Sequence, residues 1–226
     1  MTSTAIVTGA SRGLGLELTK ALVQRGWRVV IDARDLPSVP GELAESGQVV
    51  ALAGDVADAT HRRALVEAAG ERIDLLANNA SELGPSPLPV LRDLPLPALE
   101  RILRVNAVAP LALAQLVLPR MPSGGTILNV SSDAAVEGYE GWGGYGASKA
   151  ALDQLTRVLA AEHPELRVYA VDPGDMRTRM HQDAFPGEDI SDRPSPAERV
   201  PGLLALVEGD LPSGRYAAAD LFAPVR

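Results

Sequence analysis

The sequence predicts an α/β fold in which a doubly wound parallel sheet is covered by helices on both faces. Short, nearly continuous apolar runs alternate along the chain with stretches in which apolar residues recur at helical spacing. Strands that are buried on both faces have this kind of sequence. The chain has 226 residues, of which 46% are hydrophobic and 22% charged. We expect one domain, residues 1–226, because this length is enough to bury such a core.

The apolar runs predict six strands, at residues 4–7, 29–31, 49–53, 73–77, 126–130 and 167–171. The helical spacing predicts helices at residues 14–24, 61–69, 99–118 and 147–161. Two proline-rich stretches, 85–97 and 185–201, are predicted to be loops. Because ligands of open parallel sheets bind beyond the carboxyl ends of the strands, the residues that follow each strand are the candidate site.

Composition excludes several classes of function. The sequence contains no cysteine, which excludes disulfides, thiolate nucleophiles and cysteine-ligated metals. Its net charge is −8 and it has no basic run, so nucleic-acid binding is not expected. The three histidines are scattered, and no metal site is expected. No continuous apolar run reaches the length of a membrane span, and the amino terminus lacks a positively charged leader. We therefore expect a cytoplasmic protein that does not bind membranes.

A glycine-rich segment follows the first predicted strand. Gly9, Gly13 and Gly15 stand in a G-x3-G-x-G spacing between that strand and the first helix. Glycine allows a pyrophosphate to approach the backbone, and the start of a helix offers free N–H groups and a positive dipole end. The segment therefore predicts a dinucleotide-binding loop. The alternative is a tight turn that binds nothing.

A tyrosine and a lysine lie four residues apart in a predicted helix. Tyr145 and Lys149 therefore share one helix face. A nearby ammonium group favours a phenolate, so the pair predicts a tyrosine whose pKa lies below its usual value of about 10. Such a phenol can exchange a proton with a carbonyl or alcohol oxygen. By spacing alone, a surface pair explains the two residues equally well.

Two further polar residues fit the same chemistry. Ser132 follows the strand 126–130, thirteen residues before Tyr145. Its hydroxyl can bind a substrate oxygen or cap its own backbone, and Ser131 is the neighbouring alternative. Pro110 lacks an N–H group, which leaves the carbonyl of Asn106, four residues earlier, free to hold a water. The alternative for Asn106 is a buried amide beside an ordinary proline kink.

Together these segments resemble the short-chain dehydrogenase/reductase family, of the type with a Tyr-x3-Lys pair and a T-G-x3-G-x-G loop, here Thr8 to Gly15. The resemblance extends from about residue 4 to residue 178, and residues 214–218 are similar to the family's final strand. It implies a Rossmann-type αβα fold. It also implies a catalytic set in which Ser132 orients the substrate, Tyr145 is the acid or base and Lys149 lowers the tyrosine pKa and binds the nicotinamide ribose. In the family, a water on the carbonyl equivalent to that of Asn106 contacts the lysine.

The resemblance also implies a set of cofactor-binding residues: Gly9, Ser11, Arg12, Gly13, Leu14, Gly15, Arg34, Asp55, Val56, Asn79, Ala80, Tyr145, Lys149, Pro173, Gly174 and Thr178. Asp55 would meet the adenine edge, although it or Asp58 could simply cap a helix. Thr178 would bind the nicotinamide carboxamide, and it could also cap the next helix. Ser81 replaces a family glycine, and a residue with a Cβ tolerates positive φ poorly.

The choice of cofactor depends on two opposing signals. Asp32 ends the second predicted strand, where an acid usually binds the ribose 2′-hydroxyl of NAD. Arg34 and Arg12 would instead suit the 2′-phosphate of NADP. The family's discriminating acid position corresponds to Ala33, and because neighbouring strand residues face opposite sides, Asp32 could face away. NADP(H) is favoured, and NAD(H) is the alternative.

We therefore expect an NAD(P)-dependent oxidoreductase that transfers a hydride between the cofactor and a carbonyl or alcohol substrate. Loops at about 83–97, 133–144 and 175–200 would form the substrate site, with candidate walls at Tyr139, Trp142, Met176, Met180 and Phe185 and polar candidates at Glu137, Glu140 and His181. The family resemblance implies a homodimer or homotetramer formed through the two long helices. The alternatives are a catalytically silent NAD(P)-binding sensor or scaffold, and a non-redox dehydratase or epimerase of the same fold.

Overall fold

The computed structural model describes residues 2–34 and 41–222. In this part of the chain seven strands form one sheet: β1 (Thr4–Val7), β2 (Arg28–Ala33), β3 (Val49–Ala53), β4 (Leu75–Asn78), β5 (Thr126–Val130), β6 (Arg167–Asp172) and β7 (Gly214–Ala217). Their order is β3-β2-β1-β4-β5-β6-β7, and every neighbouring pair is parallel. The predicted doubly wound parallel sheet is confirmed.

Helices lie on both faces of this sheet: α1 (Gly13–Gln24), α2 (Gly41–Glu45), α3 (Ala59–Ala69), α4 (Leu96–Leu103), α5 (Ala109–Val117), α6 (Gly143–Glu162), α7 (Arg179–Ala184) and α8 (Val200–Glu208). The predicted helices correspond to α1, α3, the pair α4 and α5, and α6. The short helix α7 follows Thr178, where the sequence allowed a helix, whereas the short helix α2 and the apolar helix α8 were not predicted.

Both faces of the sheet are buried, which explains the continuous apolar runs. In β1, Ala5 and Val7 belong to a core shared with residues of α1 and α8, whereas Ile6 belongs to a core shared with residues of α3 and α5. All three side chains are fully buried. A strand covered on both sides has no solvent-facing position for a polar residue, so its sequence does not alternate.

The two proline-rich stretches are mostly irregular, as predicted, but helices begin inside both. Helix α4 begins at Leu96 and helix α8 at Val200, each with proline in its first turn. The first turn has N–H groups without intrahelical partners, so proline is tolerated there. The prediction that these stretches lack regular structure was therefore wrong at their carboxyl ends.

The predicted helix 99–118 is part of a longer helical segment, Leu96–Arg120. A π-helical turn at Arg104–Val108 separates α4 from α5, and the N–H group of Ala109 bonds the carbonyl of Arg104. Pro110 lies directly after this turn, where a proline disturbs regular α-helical bonding. By length and composition alone this segment could cross a membrane. Half of its most apolar window is buried inside the molecule, as in a core helix.

The strand order places the candidate site. The chain leaves β1 toward β2 and β3 on one side, and later continues from β4 toward β7 on the other side. The loops that follow β1 and β4 therefore diverge and open a crevice at the carboxyl ends of the strands.

Candidate functional site

A cavity of about 1170 Å³ occupies this crevice. Ser132, Tyr145 and Lys149 line it. So do the predicted cofactor residues, which are Gly9, Ser11, Arg12, Gly13, Leu14, Arg34, Asp55, Val56, Asn79, Ala80, Pro173, Gly174 and Thr178. Two of the predicted residues, Gly15 and Asn106, lie behind the lining. The fold thus brings the predicted catalytic and cofactor residues to one cavity.

Each glycine of the loop after β1 has its own structural reason. Gly9 has a φ of +65°, and a Cβ there would lie 2.7 Å from the Cα of Ala80. Gly13 has a φ of +59°, and a Cβ there would make only an ordinary contact of 3.8 Å with the Cγ2 atom of Thr178. A Cβ on Gly15 would lie 2.4 Å from the Nδ2 atom of Asn79. Close contact with the β4 loop therefore requires Gly9 and Gly15, whereas backbone conformation requires Gly13.

Hydrogen bonds join the loops that follow β1 and β4. The Nδ2 atom of Asn79 donates to the carbonyl of Thr8 over 2.8 Å, and the backbone N–H of Asn79 donates to the Thr8 hydroxyl over 3.0 Å. Deeper in the sheet, the Asn78 amide donates to Asn129, which in turn donates to Thr156 of α6. These contacts hold the central strands and α6 together at the edge where the cavity opens.

The acid at the end of β2 is buried and bonded to other parts of the protein, although it also lines the cavity. Asp32 is 2% exposed. One carboxylate oxygen accepts the N–H of Gly9 over 2.6 Å, and the other lies 3.2 Å from Nε2 of His61. Two residues further along, the Arg34 side chain is 64% exposed, lines the cavity and lies 3.6 Å from the Glu82 carboxylate. Both carboxylate oxygens of Asp32 therefore already have a protein partner.

The structure also shows which of Asp55, Asp58 and Thr178 cap helices and which of them line the cavity. Asp58 caps α3, accepting the N–H of Thr60. Asp55 lines the cavity and accepts a hydrogen bond of 2.7 Å from Arg101. Thr178 caps α7 by accepting the N–H of His181, and it lines the cavity as well. The Asp55–Arg101 contact was not predicted, since nothing in the sequence links two residues so far apart.

The tyrosine and lysine lie together inside the protein. Tyr145 is 9% exposed, and the Nζ atom of Lys149 lies 5.5 Å from the centre of the Tyr145 ring. The same Nζ donates a hydrogen bond of 2.7 Å to the carbonyl of Val130 at the end of β5. The alternative of a surface pair is excluded by this burial.

The prediction that the pKa of Tyr145 lies below its usual value is wrong for this structure. The pKa of Tyr145 is raised to about 12, mainly by burial and in part by the nearby charges of Asp172 and Asp133. Hydrogen bonds with Ser81 and Ser132 oppose this increase. Burial also lowers the pKa of Lys149, to about 8, although the Asp153 charge acts in the opposite direction. Desolvation therefore outweighs the attraction that the sequence pattern suggested.

The two serines after β5 have different partners. Ser131 is buried, and its hydroxyl donates to Asp153 over 2.5 Å. The Ser132 hydroxyl interacts with Tyr145 and also accepts the N–H of Ala134, so it caps the following turn as well. Of the two, Ser132 is the residue near the phenol. Ser81, at the position where glycine was expected, has a negative φ and places a second hydroxyl on Tyr145.

The Asn106 side chain is fully buried between two loops and a helix. Its Oδ1 atom accepts the N–H of Glu82 over 2.7 Å and the hydroxyl of Ser81 over 3.3 Å. Its Nδ2 atom donates to the Ser148 hydroxyl over 2.9 Å. The side chain therefore connects the β4 loop to the helix that carries Tyr145 and Lys149. The water on its carbonyl stays a prediction.

Apolar and aromatic groups surround the phenol. Trp142 lies edge-on to Tyr145 with ring centres 5.7 Å apart, and it also contacts Phe185 at 5.8 Å. The predicted wall residues all line the cavity, namely Tyr139, Trp142, Met176, Met180 and Phe185. His181 lines it too, whereas Glu137 and Glu140 do not.

The chain matches a known protein family over most of its length. Residues 3–189 match the family model for short chain dehydrogenases. A short chain dehydrogenase of Penicillium thymicola is 32% identical, with 96% of this chain and 90% of that protein covered. Another, from Emericella nidulans, is 37% identical over 70% of this chain, which spans 64% of that protein.

Solved structures show the same likeness. A short chain dehydrogenase from Pseudomonas syringae superimposes with a TM-score of 0.88 at 29% identity, covering 96% of this chain and 94% of that one. One from Escherichia coli, in complex with NADPH, has a TM-score of 0.87 at 29% identity and covers 96% of each chain. This protein therefore belongs to the short-chain dehydrogenase family, whose members are oxidoreductases that use nicotinamide cofactors and act on CH–OH and C=O groups.

Proposed function

We propose that this protein transfers a hydride between NADP(H) and the carbonyl or alcohol group of a small molecule, with Tyr145 as the general acid or base. One observation carries the proposal. The Tyr145 phenol and the Lys149 ammonium group are buried together at the wall of a cavity that also reaches the glycine loop after β1. Buried ionisable pairs with shifted pKa values in a cavity are typical of catalytic sites.

The residues around the cavity fit a phosphorylated dinucleotide. Helix α1 begins at Gly13, so its free N–H groups and positive end suit a pyrophosphate. Arg12 and Arg34 both line the cavity, and a guanidinium binds phosphate through paired hydrogen bonds. Each carboxylate oxygen of Asp32 already has a protein partner, which makes it less available to a ribose hydroxyl. The bound NADPH of the Escherichia coli neighbour supports the same choice.

In the proposed mechanism, Tyr145 donates its proton to the substrate carbonyl oxygen during reduction. When bound, a nicotinamide cofactor would supply the hydride chemistry of this step in either direction. The Ser132 hydroxyl binds the same oxygen, and the Lys149 charge stabilises the phenolate that remains. With a pKa of about 12, Tyr145 is protonated at neutral pH and available as an acid. A water on the Asn106 carbonyl would return the proton through Lys149.

The substrate side of the cavity favours an uncharged apolar substituent beside the reacting carbonyl. Trp142, Phe185 and Met180 pack together next to Tyr145. Binding a charged group against these side chains would cost its solvation without a partner. We expect ketones or aldehydes with an alkyl or aryl group to be better substrates than small ionic ones.

A second copy of the chain is proposed to cover the exposed face of the long helices. Leu96 is 69% exposed and Val108 55%, and Val158 on the neighbouring α6 is also exposed. Apolar side chains grouped on adjacent helices often mark an interface. Analytical ultracentrifugation should show a dimer or tetramer. The substitution Val108→Asp should shift the oligomeric state toward monomer.

The test of the proposed function is nicotinamide absorbance during turnover with a panel of carbonyl compounds. Tyr145→Phe should lower kcat by about 10²- to 10⁴-fold while NADPH still binds. Tyr216→Phe is the matched control, because its hydroxyl bonds Pro212 outside the cavity. Turnover of a substrate without an absorbance change would indicate a dehydratase or epimerase, and NADPH binding without any turnover would indicate a sensor.

A further inference from the structure

The three residues at the end of β5 are each held by a different charged side chain. The Val130 carbonyl accepts from Lys149 over 2.7 Å, and the Ser131 hydroxyl donates to Asp153 over 2.5 Å. The Ser132 carbonyl accepts a hydrogen bond of 2.9 Å from Arg215. The backbone that presents the Ser132 hydroxyl is therefore fixed on both sides, and one of the residues that fix it lies far along the chain.

Arg215 reaches this point from the edge strand β7. Its Nε atom donates to the Asp153 carboxylate over 3.0 Å, and its Nη2 atom lies 3.3 Å from the Asp172 carboxylate. Asp153 is 2% exposed, and the Asp172 side chain is largely buried. One planar guanidinium thus binds two carboxylates and a carbonyl, which a lysine cannot do with the same geometry. Arg215 lies outside residues 3–189, the part of the chain that matches the family model.

We infer that Arg215 is a positioning residue for the reaction at Tyr145. It holds the Ser132 backbone in place, and it compensates the charges of two carboxylates beside the Tyr145–Lys149 pair. This inference rests on the proposed role of Tyr145 as acid or base. Arg215 itself is not among the residues that line the cavity.

Charged and polar groups from several elements face the Tyr145 phenol. These are Lys149 from its own helix, Asp133 from the turn after β5, Asp172 from the end of β6, and the hydroxyls of Ser81 and Ser132. The Asp172 charge raises the pKa of Tyr145, and Arg215 opposes the charge of Asp172 directly. Without Arg215, Asp172 would act on the phenol uncompensated.

An arginine with a purely structural role would affect the stability of the protein but not the pH dependence of the reaction. Arg28 illustrates one, because its guanidinium bonds the carbonyls of Ala68 and Ala69 at the amino-terminal edge of the sheet, away from the cavity. Removing Arg28 should lower stability without changing how the reaction depends on pH. Arg28→Met is therefore the matched control for Arg215→Met.

The experiment measures kcat, KM and the pH dependence of alcohol oxidation by the intact protein with NADP. Arg215→Met should lower kcat by about 10- to 100-fold through misplacement of Ser132. The same substitution should also shift the rising part of the pH profile to higher pH by about one pH unit. It should change the NADP affinity little. Arg215→Lys keeps the charge and should leave the profile near that of the wild type. Arg215→Gln keeps a hydrogen-bond donor and should shift the profile while preserving more of kcat.

Adding Asp172→Asn to Arg215→Met should return the profile toward the wild type, because the uncompensated charge is then removed. If Arg215→Met does not fold, the lysine and glutamine variants give the same comparison. A folded Arg215→Met with unchanged kcat and pH profile would overturn the inference, as would equal shifts in Arg28→Met. If Tyr145→Phe is fully active, the proposed function fails instead, whatever Arg215 does.

Discussion

The carboxylate of Asp32 accepts a hydrogen bond of 2.6 Å from the backbone N–H of Gly9. A residue at the end of β2 thus fixes the loop that follows β1. Its second oxygen lies 3.2 Å from His61 of α3, so both oxygens serve the protein. The side chain that the sequence suggested as a ribose ligand instead shapes the loop on which a dinucleotide would lie.

Replacing Asp32 with alanine should therefore weaken the binding of both nicotinamide cofactors. The change leaves the Gly9 N–H without its partner, which costs about 1.5–3 kcal/mol for a hydrogen bond to a charged group. Denaturant unfolding measures the loss of stability, and the Kd values for NADPH and NADH measure the loss of cofactor affinity. Asp32→Asn retains an acceptor for the Gly9 N–H group and should weaken cofactor binding less than Asp32→Ala. A loss of affinity for NADH alone would contradict this prediction and indicate a ribose ligand.

Replacing Arg34 with alanine should raise the KM for NADPH on the order of 10- to 100-fold and leave the KM for NADH nearly unchanged. The reason is the loss of paired, charge-assisted hydrogen bonds to the 2′-phosphate. Arg25→Ala serves as the control, because Arg25 pairs with Glu208 on the surface. A strong preference of the wild type for NADH would refute the assignment of NADP.

The two directions of the reaction should depend on pH differently. Since the pKa of Tyr145 is raised to about 12, the phenol keeps its proton at neutral pH. Reduction, which needs that proton, should be flat up to the Lys149 pKa of about 8. Oxidation needs the phenolate, so its rate should rise with pH by about tenfold per unit where this step limits the rate. Steady-state rates in both directions test this, and an oxidation rate that falls as pH rises would contradict it.

Ser81→Gly should make oxidation slower by about two- to tenfold near neutral pH. The hydrogen bond between Ser81 and Tyr145 lowers the pKa of Tyr145, and losing a bond of about 0.5–1.5 kcal/mol raises that pKa. Ser86→Gly is the control at the cavity rim, because the Ser86 hydroxyl bonds the carbonyl of Asp183. Equal effects of the two substitutions on the pH profile would show that Ser81 does not act on the phenol.

The glycines of the loop should differ in their tolerance of alanine. Gly9→Ala combines a positive φ with a Cβ 2.7 Å from the backbone of Ala80, so the loops after β1 and β4 must separate. Gly13→Ala has a positive φ but no close contact, and its cost should be limited to backbone strain of about 1–3 kcal/mol. Thermal unfolding should show a clearly larger loss for Gly9→Ala, and equal losses would contradict the contact.

Much of the site could be predicted because its residues follow strands. The glycine spacing after β1, Ser132 after β5 and the Tyr145–Lys149 pair are local patterns, and a parallel sheet brings the ends of its strands to one edge. The helix that begins at Val200 was missed because its first residues lie in a proline-rich stretch. The Asp55–Arg101 contact was missed because it joins side chains from distant elements.

The amino-acid sequence by itself determined the parallel sheet and the place of the cavity, since runs of apolar residues require burial on both faces and local spacing sets which side chains share a helix face. The tertiary structure alone decided that Asp32 holds Gly9, that Arg215 reaches Ser132, and that burial raises the pKa of Tyr145. These properties depend on the desolvation and the distant partners of a group, and both exist only when the chain is folded.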